Sequence, residues 1–170
     1  ASPLIQALKK YNVINKILHT GQHYDYSMSE QFFKEFKLPK PFSNLNIGSL
    51  SHGAQTGRML EGIEKILYKS NPDFVIIYGD TNSTLAGALA SSKLCLPLAH
   101  VEGGVRTKNN SSPEEINRKI CDHLATVNFP PTIMSYKNLE KEGITGSRNT
   151  FFGDVMYDMV VNTELKKPDI

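Results

Sequence analysis

Three short segments carry side chains suited to moving protons or holding anions. Tyr78-Gly79-Asp80-Thr81-Asn82-Ser83-Thr84 joins an apolar run to a helix-forming one. Gly79 lets a ligand approach the main chain, and the hydroxyls, Thr81 among them, together with a helix amino end can receive an anionic or polyhydroxylated group. The same residues can equally serve as a helix cap, through Asp80 or a neighbouring Thr or Ser. His100-Val101-Glu102-Gly103-Gly104-Val105-Arg106 sets a carboxylate, two glycines and an arginine close together. Glu102 with Arg106 suits proton transfer beside a phosphate-bearing leaving group, or a surface ion pair that closes a turn. His100, alone in an apolar strand, reads as a satisfied core residue rather than a catalyst. In Ser112-Pro113-Glu114-Glu115-Ile116-Asn117-Arg118, Ser112 and Glu115 fit a capping box and Pro113 the first helical position, which leaves Glu114 as the free carboxylate. If Ile116, Ile120, His123 and Leu124 form the buried stripe, a turn of about 100° per residue puts Glu114 and Arg118 on the opposite side. There they face a cleft together or form a solvated i,i+4 pair.

The elements that must position these segments alternate between short β-rich runs and longer helical ones, the pattern of an α/β fold with a Rossmann-like parallel sheet and helices on both faces. Strands are expected at Val13 to Leu18, Asp73 to Tyr78, Leu96 to Val101, Thr126 to Phe129 and Asn149 to Phe152. The run Phe74-Val75-Ile76-Ile77 is the clearest, because a strand buried on both faces loses its polar alternation. Helices are expected at Leu4 to Lys10, Met28 to Phe36, Ala54 to Lys69, Ser83 to Leu94, Pro113 to Ala125 and Ile133 to Glu142. Met59, Ile63 and Ile66 form an apolar stripe in the third of these, and Asn71-Pro72-Asp73 halts it, since proline disfavours helical geometry in the residue before it. In open α/β sheets ligands bind at the carboxyl ends of strands, which is where the segments around Asp80 and Glu102 fall.

A chain of 170 residues suits one domain, read here as a single unit over 1–170 that begins inside a helix and ends at the start of a connection, as a truncated piece would. A net charge of +2 gives no footing for nucleic acid or an anionic membrane surface. Neither a leader at the start nor an apolar run of the ~18 residues needed to span a bilayer is apparent. Cys95 and Cys121 fall in helical stretches and read as reduced, buried thiols, which fits a cytoplasmic protein. His19, His23 and His52 lack the spacing of a zinc site, and no metal or cofactor is indicated. Dinucleotide, phosphate-loop and nucleophile-elbow signatures are missing too, so hydride transfer, ATP use and acyl-serine chemistry lose their usual support.

In identity and order, the segments resemble the non-hydrolysing UDP-N-acetylglucosamine 2-epimerases over nearly the whole chain. Those that carry the resemblance are Ser2-Pro3-Leu4-Ile5, Thr20-Gly21-Gln22-His23, Gln55-Thr56-Gly57-Arg58-Met59-Leu60-Glu61-Gly62, Gly79-Asp80-Thr81-Asn82-Ser83-Thr84, His100 to Arg106, Pro113 to Arg118, Asp122-His123-Leu124 and Pro131-Thr132. The resemblance implies the amino-terminal half of a glycosyltransferase-B-type fold, two Rossmann-like domains with the active site between them. It further implies that the opening strand and the carboxy-terminal domain lie outside this chain, and that the chain alone has little or no activity. The family's reaction eliminates UDP to leave 2-acetamidoglucal and adds it back after the C2 proton has been replaced on the other face. Asp80, Glu102 and Glu114 match the family's essential carboxylates and Arg118 an active-site arginine, while Thr81, Arg106, Gln22 and His23 become substrate-binding candidates.

Gly103 stands where the family usually has alanine, a change expected to be tolerated. Gln22-His23-Tyr24-Asp25 and Arg58 align with a region that in some bacterial relatives binds a second UDP-N-acetylglucosamine as activator, with Tyr24-Asp25 departing from that pattern. Expected partners are a UDP-sugar substrate and a second copy in a homodimer. Other readings are a sibling epimerase acting on a UDP-diacetamido-uronic acid, a noncatalytic sugar-nucleotide-binding module, or, by shared architecture alone, a glycosyltransferase.

Overall fold

The computed structural model describes residues 1–22, 33, 36 and 38–162. His23 and all but two residues of the helix expected at Met28 to Phe36 lie outside them. Its elements are α1 (Ser2–Lys9), β1 (Leu18–His19), β2 (Ser43–Asn44), α2 (His52–Ser70), β3 (Val75–Tyr78), α3 (Asn82–Lys93), β4 (Leu98–Val101), α4 (Pro113–Leu124), β5 (Val127–Phe129), α5 (Ile133–Lys141), a 3-10 turn (Gly146–Arg148) and α6 (Val155–Asn162). Strands β3, β4 and β5 pair in that order and β1 pairs with β2, all in parallel. All four residues of β4 are buried, so both faces of that strand are covered.

The Ala- and Ser-rich sequence of α3 explains its central place. Ala86, Gly87, Ala88, Ala90 and Ser91 are all buried, and small side chains let α2 and α4 approach it closely. A Cβ on Gly87 would lie 3.1 Å from Ile77 Cγ2. On one side Met59, Ile63 and Leu67 of α2 pack against Ala86 and Ala90. A second cluster joins Ile77, Ala88, Leu98, Cys121 and Ala125. Asn71 ends α2 in the left-handed conformation, at φ 38°, just before Pro72.

Three expectations about elements need correction. Val13 and Ile14 are exposed and precede the strand, which starts only at Leu18, because the chain leaves α1 through a turn with Asn12 at φ 58°. Asn149 makes a single parallel bridge to Asn128, and the exposed Phe151 and Phe152 beyond it belong to no strand. Cys95 lies outside α3 and is exposed, at φ 56° in the turn after the helix, whereas Cys121 is buried. Burial pushes the Cys121 thiol up to about 12. In native buffer a disulfide reagent is therefore expected to titrate Cys95 alone, with Cys121 reacting only after denaturation. Rapid native reaction of both thiols would contradict this packing. Sequence reasoning also passed over β2, whose two polar residues give no periodic signal, and α6.

Candidate active site

The carboxyl end of β3 turns through Gly79, at φ 67°, into Asp80 and α3. Asp80 does not cap the helix. Thr81 does, its side chain accepting from the Thr84 amide, and Gln22 adds a second cap: its Oε1 accepts from the Ser83 amide at 3.1 Å and from Ser83 Oγ at 2.6 Å. The loop after β1 is thereby fastened to the amino end of α3, the positive end of its dipole. Asp80 Oδ2 instead pairs with Arg118 at 2.5 Å, and Asn117 Nδ2 donates to the Asp80 carbonyl at 2.8 Å. Helix α4 thus holds Asp80 through both side chain and main chain.

That grip depends on an arrangement opposite to the one expected for α4. Its buried residues are Glu115, Asn117, Cys121 and Asp122, while Ile116 and Ile120 are 51% and 36% exposed. Of the expected stripe, Leu124 packs against a core cluster, but Ile116, Ile120 and His123 lie on the outer side, because the inner side is stabilised largely by matched hydrogen bonds and ion pairs. Nor does the capping box form: Ser112 Oγ donates to Glu114 at 2.6 Å, and Glu115 turns inward. Glu115 Oε2 accepts from the Thr107 amide at 2.9 Å, from Thr107 Oγ1 at 3.0 Å and from Arg118 Nη1 at 3.1 Å. Burial works against its charge, yet these bonds hold its carboxyl below the ordinary range.

Glu102 sits just past β4 at φ 74°, a left-handed backbone that a side-chain-bearing residue adopts at a cost of about 1–2 kcal/mol. Its carboxyl is half-buried and shifted upward, chiefly by burial and then by the charges of Asp154 and Asp80, with His100 acting in the other direction. Glu114 is exposed and shifted downward, first by the Ser112 hydrogen bond and further by Arg118 and His52. Asp80 and Glu102 thus follow the ends of the neighbouring strands β3 and β4, close enough for the charge of Asp80 to act on Glu102, while Arg118 pairs with Asp80 and its charge also reaches Glu114 in the first turn of α4. Two acids with opposed environments can divide acid and base roles between them.

Arg106 is not in this group. It forms no pair with Glu102; its guanidinium, 6% exposed, bonds Asp122 at 2.7 Å and Glu142 at 2.8 and 2.6 Å. Burial opposes its charge, but these two carboxylates hold it protonated even more firmly than usual. A groove of about 330 Å³ borders Arg106 and Glu115 and includes Lys108, Lys119 and Lys141, but none of Asp80, Glu102 or Glu114 lines it. Asn117, Glu115 and Asp122 escaped sequence reasoning as supports of the site. The i,i+3 spacing of Glu115 and Arg118 was a usable signal for the first pair, whereas nothing in the periodicity marks Asp122.

A Cβ on Gly103 would come within 3.0 Å of Asn128 Cβ, Asn128 Oδ1 and Asp122 Oδ1, so glycine fits the present packing and alanine would need those neighbours to give way.

A family model described as UDP-N-acetylglucosamine 2-epimerase matches residues 6–169. The UDP-N-acetylglucosamine 2-epimerase homolog of Methanococcus maripaludis is 56% identical over 147 residues, 86% of this chain and 41% of that protein. The UDP-2,3-diacetamido-2,3-dideoxy-D-glucuronate 2-epimerase of Pseudomonas aeruginosa is 46% identical over 161 residues, 93% of this chain and 46% of that protein. The crystal structure of Methanocaldococcus jannaschii UDP-GlcNAc 2-epimerase in complex with UDP-GlcNAc and UDP superposes with a TM-score of 0.83 at 50% identity, covering 89% of this chain and 41% of that one. The chain therefore spans less than half the length of these relatives.

Proposed function

This chain belongs to the UDP-N-acetylglucosamine 2-epimerase family, and from that premise we propose that the intact protein carrying it interconverts UDP-GlcNAc and UDP-ManNAc by eliminating and re-adding UDP. In this reading the chain is the amino-terminal of two Rossmann-like domains and forms one wall of the cleft. The observation that supports it is the Asp80–Arg118 ion pair just past β3, with Glu102 just past the neighbouring strand β4, Glu114 in the first turn of α4, and the two glutamates shifted in opposite directions.

The chemistry calls for such a set. A sugar C2 hydrogen is not acidic, so elimination needs a positioned base, an acid and positive charge where the diphosphate departs. Inversion at C2 needs proton traffic on two faces, which one carboxylate serves poorly. Glu102, its carboxyl shifted upward, is suited to hold and release a proton, while Glu114 stays anionic. Asp80 is oriented by Arg118 and Asn117. The amino end of α3, with Thr81 and Gln22, suits the substrate's anionic or hydroxyl groups, and His23 remains a substrate-binding candidate from the family motif alone. Arg106 contributes indirectly, through Asp122.

Run in D2O with UDP-GlcNAc, the intact protein is expected to yield UDP-ManNAc carrying deuterium at C2. Binding without exchange would make it a sugar-nucleotide-binding module instead. The 170-residue chain alone is expected to turn over little or nothing in the same assay. A second reading, epimerisation of a UDP-diacetamido-uronic acid, is favoured by the similarity to the Pseudomonas enzyme, and comparing turnover of the two substrates separates them. The proposal includes a cytoplasmic homodimer, checkable by fractionation and sedimentation. Among the described residues no helix is long and apolar enough to cross a membrane.

A further inference from the structure

Behind the carboxylates lie two ionisable side chains with no access to solvent, His100 in β4 and Asp122 in α4, both 0% exposed. Removing such groups from water is tolerated only where their hydrogens and lone pairs find partners. Here they do. His100 Nε2 lies 2.8 Å from the Gly79 carbonyl, an obligate acceptor, so that nitrogen carries a hydrogen. Nδ1 lies 2.7 Å from Asp122 Oδ1, with a proton between them. Asp122 Oδ2 accepts from the Gly104 amide at 3.1 Å and from Arg106 at 2.7 Å, and Arg106 is held in turn by Glu142.

Where this chain of bonds begins and ends gives it a role beyond core filling. Gly79 immediately precedes Asp80, and Gly104 follows Glu102 by two residues. The β3–β4 ladder ends at the pair Tyr78 and Val101, and beyond it Gly79, Glu102 and Gly104 all have left-handed backbones that cannot continue regular pairing. At that point side chains take over from the ladder. A purely structural demand could be met by apolar residues of similar volume, often with no loss of stability. Such residues would leave the Gly79 carbonyl and the Gly104 amide without these partners.

We propose that the buried His100–Asp122 pair is the positioning device of the site, fixing the Asp80 loop against the Glu102 loop and so setting the separation and angle of those two carboxylates. This rests on the reading in which they act on substrate. The influence of His100 on the Glu102 charge is a second route by which the pair shapes the site.

The test uses the intact protein with His100→Gln, which keeps a donor for Gly79 and breaks the bond to Asp122, and His100→Asn, which does the reverse. Both are expected to fold, to lose kcat by about 10- to 100-fold and to keep KM within about threefold. Crystal structures of the variants are expected to show the Glu102 carboxyl displaced from Asp80 by about 1 Å, an error large enough to give that loss. Normal kcat, or carboxylates that keep their places, would overturn the proposal. Should both variants fail to fold, Glu142→Gln at the partly exposed end of the chain of bonds decides: kcat falls if the proposal holds and is unchanged if it does not. Wild-type protein that never epimerises would sink the functional reading alone, because the carboxylate positions would still judge the pair.

Discussion

Glu102→Gln is expected to lower turnover of the intact protein by about 10²- to 10⁴-fold while its melting temperature at neutral pH stays level or rises. The two outcomes share one cause. Burial and the nearby negative charges of Asp154 and Asp80 raise the Glu102 carboxyl above its ordinary range, so the folded state disfavours the ionised form. For an acid shifted in this direction, ionisation destabilises the fold above the folded-state value, and the effect vanishes below the unfolded-state value of about 4.3. A neutral amide of the same shape removes the penalty and the proton donor together. Calorimetry at pH 7 and near pH 4, run beside the turnover assay, checks both: the stability gain should shrink at the lower pH. A variant that loses stability along with activity would mark Glu102 as a structural residue instead.

Gly104→Ala is expected to destabilise the chain by at least about 4 kcal/mol, near the limit for single substitutions. At roughly 2–4 °C per kcal/mol for a chain of this size, that is a fall of at least about 8 °C in Tm. A Cβ at this position would lie 2.2 Å from the Ser135 carbonyl oxygen and 2.8 Å from Leu139 Cγ. The first of these is main chain inside α5 and the second is a fully buried side chain, so neither can step aside without moving the helix. Asn138 ties α5 to the same loop by donating to the Gly104 carbonyl at 3.0 Å. Gly143→Ala is the control, since it shares the left-handed backbone, at φ 82°, but has nothing within 4 Å of the added carbon. It should lose only the strain of about 1–2 kcal/mol. Equal losses in thermal melts of the two variants would refute the steric account.

The parts legible in the sequence were those whose burial is apolar. Strands β3 and β4 announced themselves by continuous apolar runs, and the polar residues that follow them mark the site as strand ends do in open α/β sheets. In α2 the expected stripe contains Met59 and Ile63, both buried, with Leu67 completing it and Ile66 half-buried beside it. Helix α4 was misread because the rule linking periodicity to burial assumes that inward means apolar. Its inward residues instead bond to Asp80, Thr107, Gly104 and His100, partners brought in from elsewhere in the chain and invisible to a local window. The Ser-Pro-Glu-Glu run likewise satisfied a helix-cap pattern that hydrogen bonds from Arg118, one turn along the helix, and from Thr107, in the preceding loop, overrode for Glu115. Local rules and final structure part company at the candidate site, where buried polar groups find their partners.

The left-handed backbone under Glu102 also bears on how such a protein can age. A glutamate codon becomes a glycine codon by one nucleotide change, and glycine at that position would relieve the main-chain strain as well as remove a reluctant charge. The genetic route to an inert descendant is thus short and runs downhill in stability. Under the proposed role of Glu102, homologues with the same architecture and a glycine there are expected to fold without epimerase turnover.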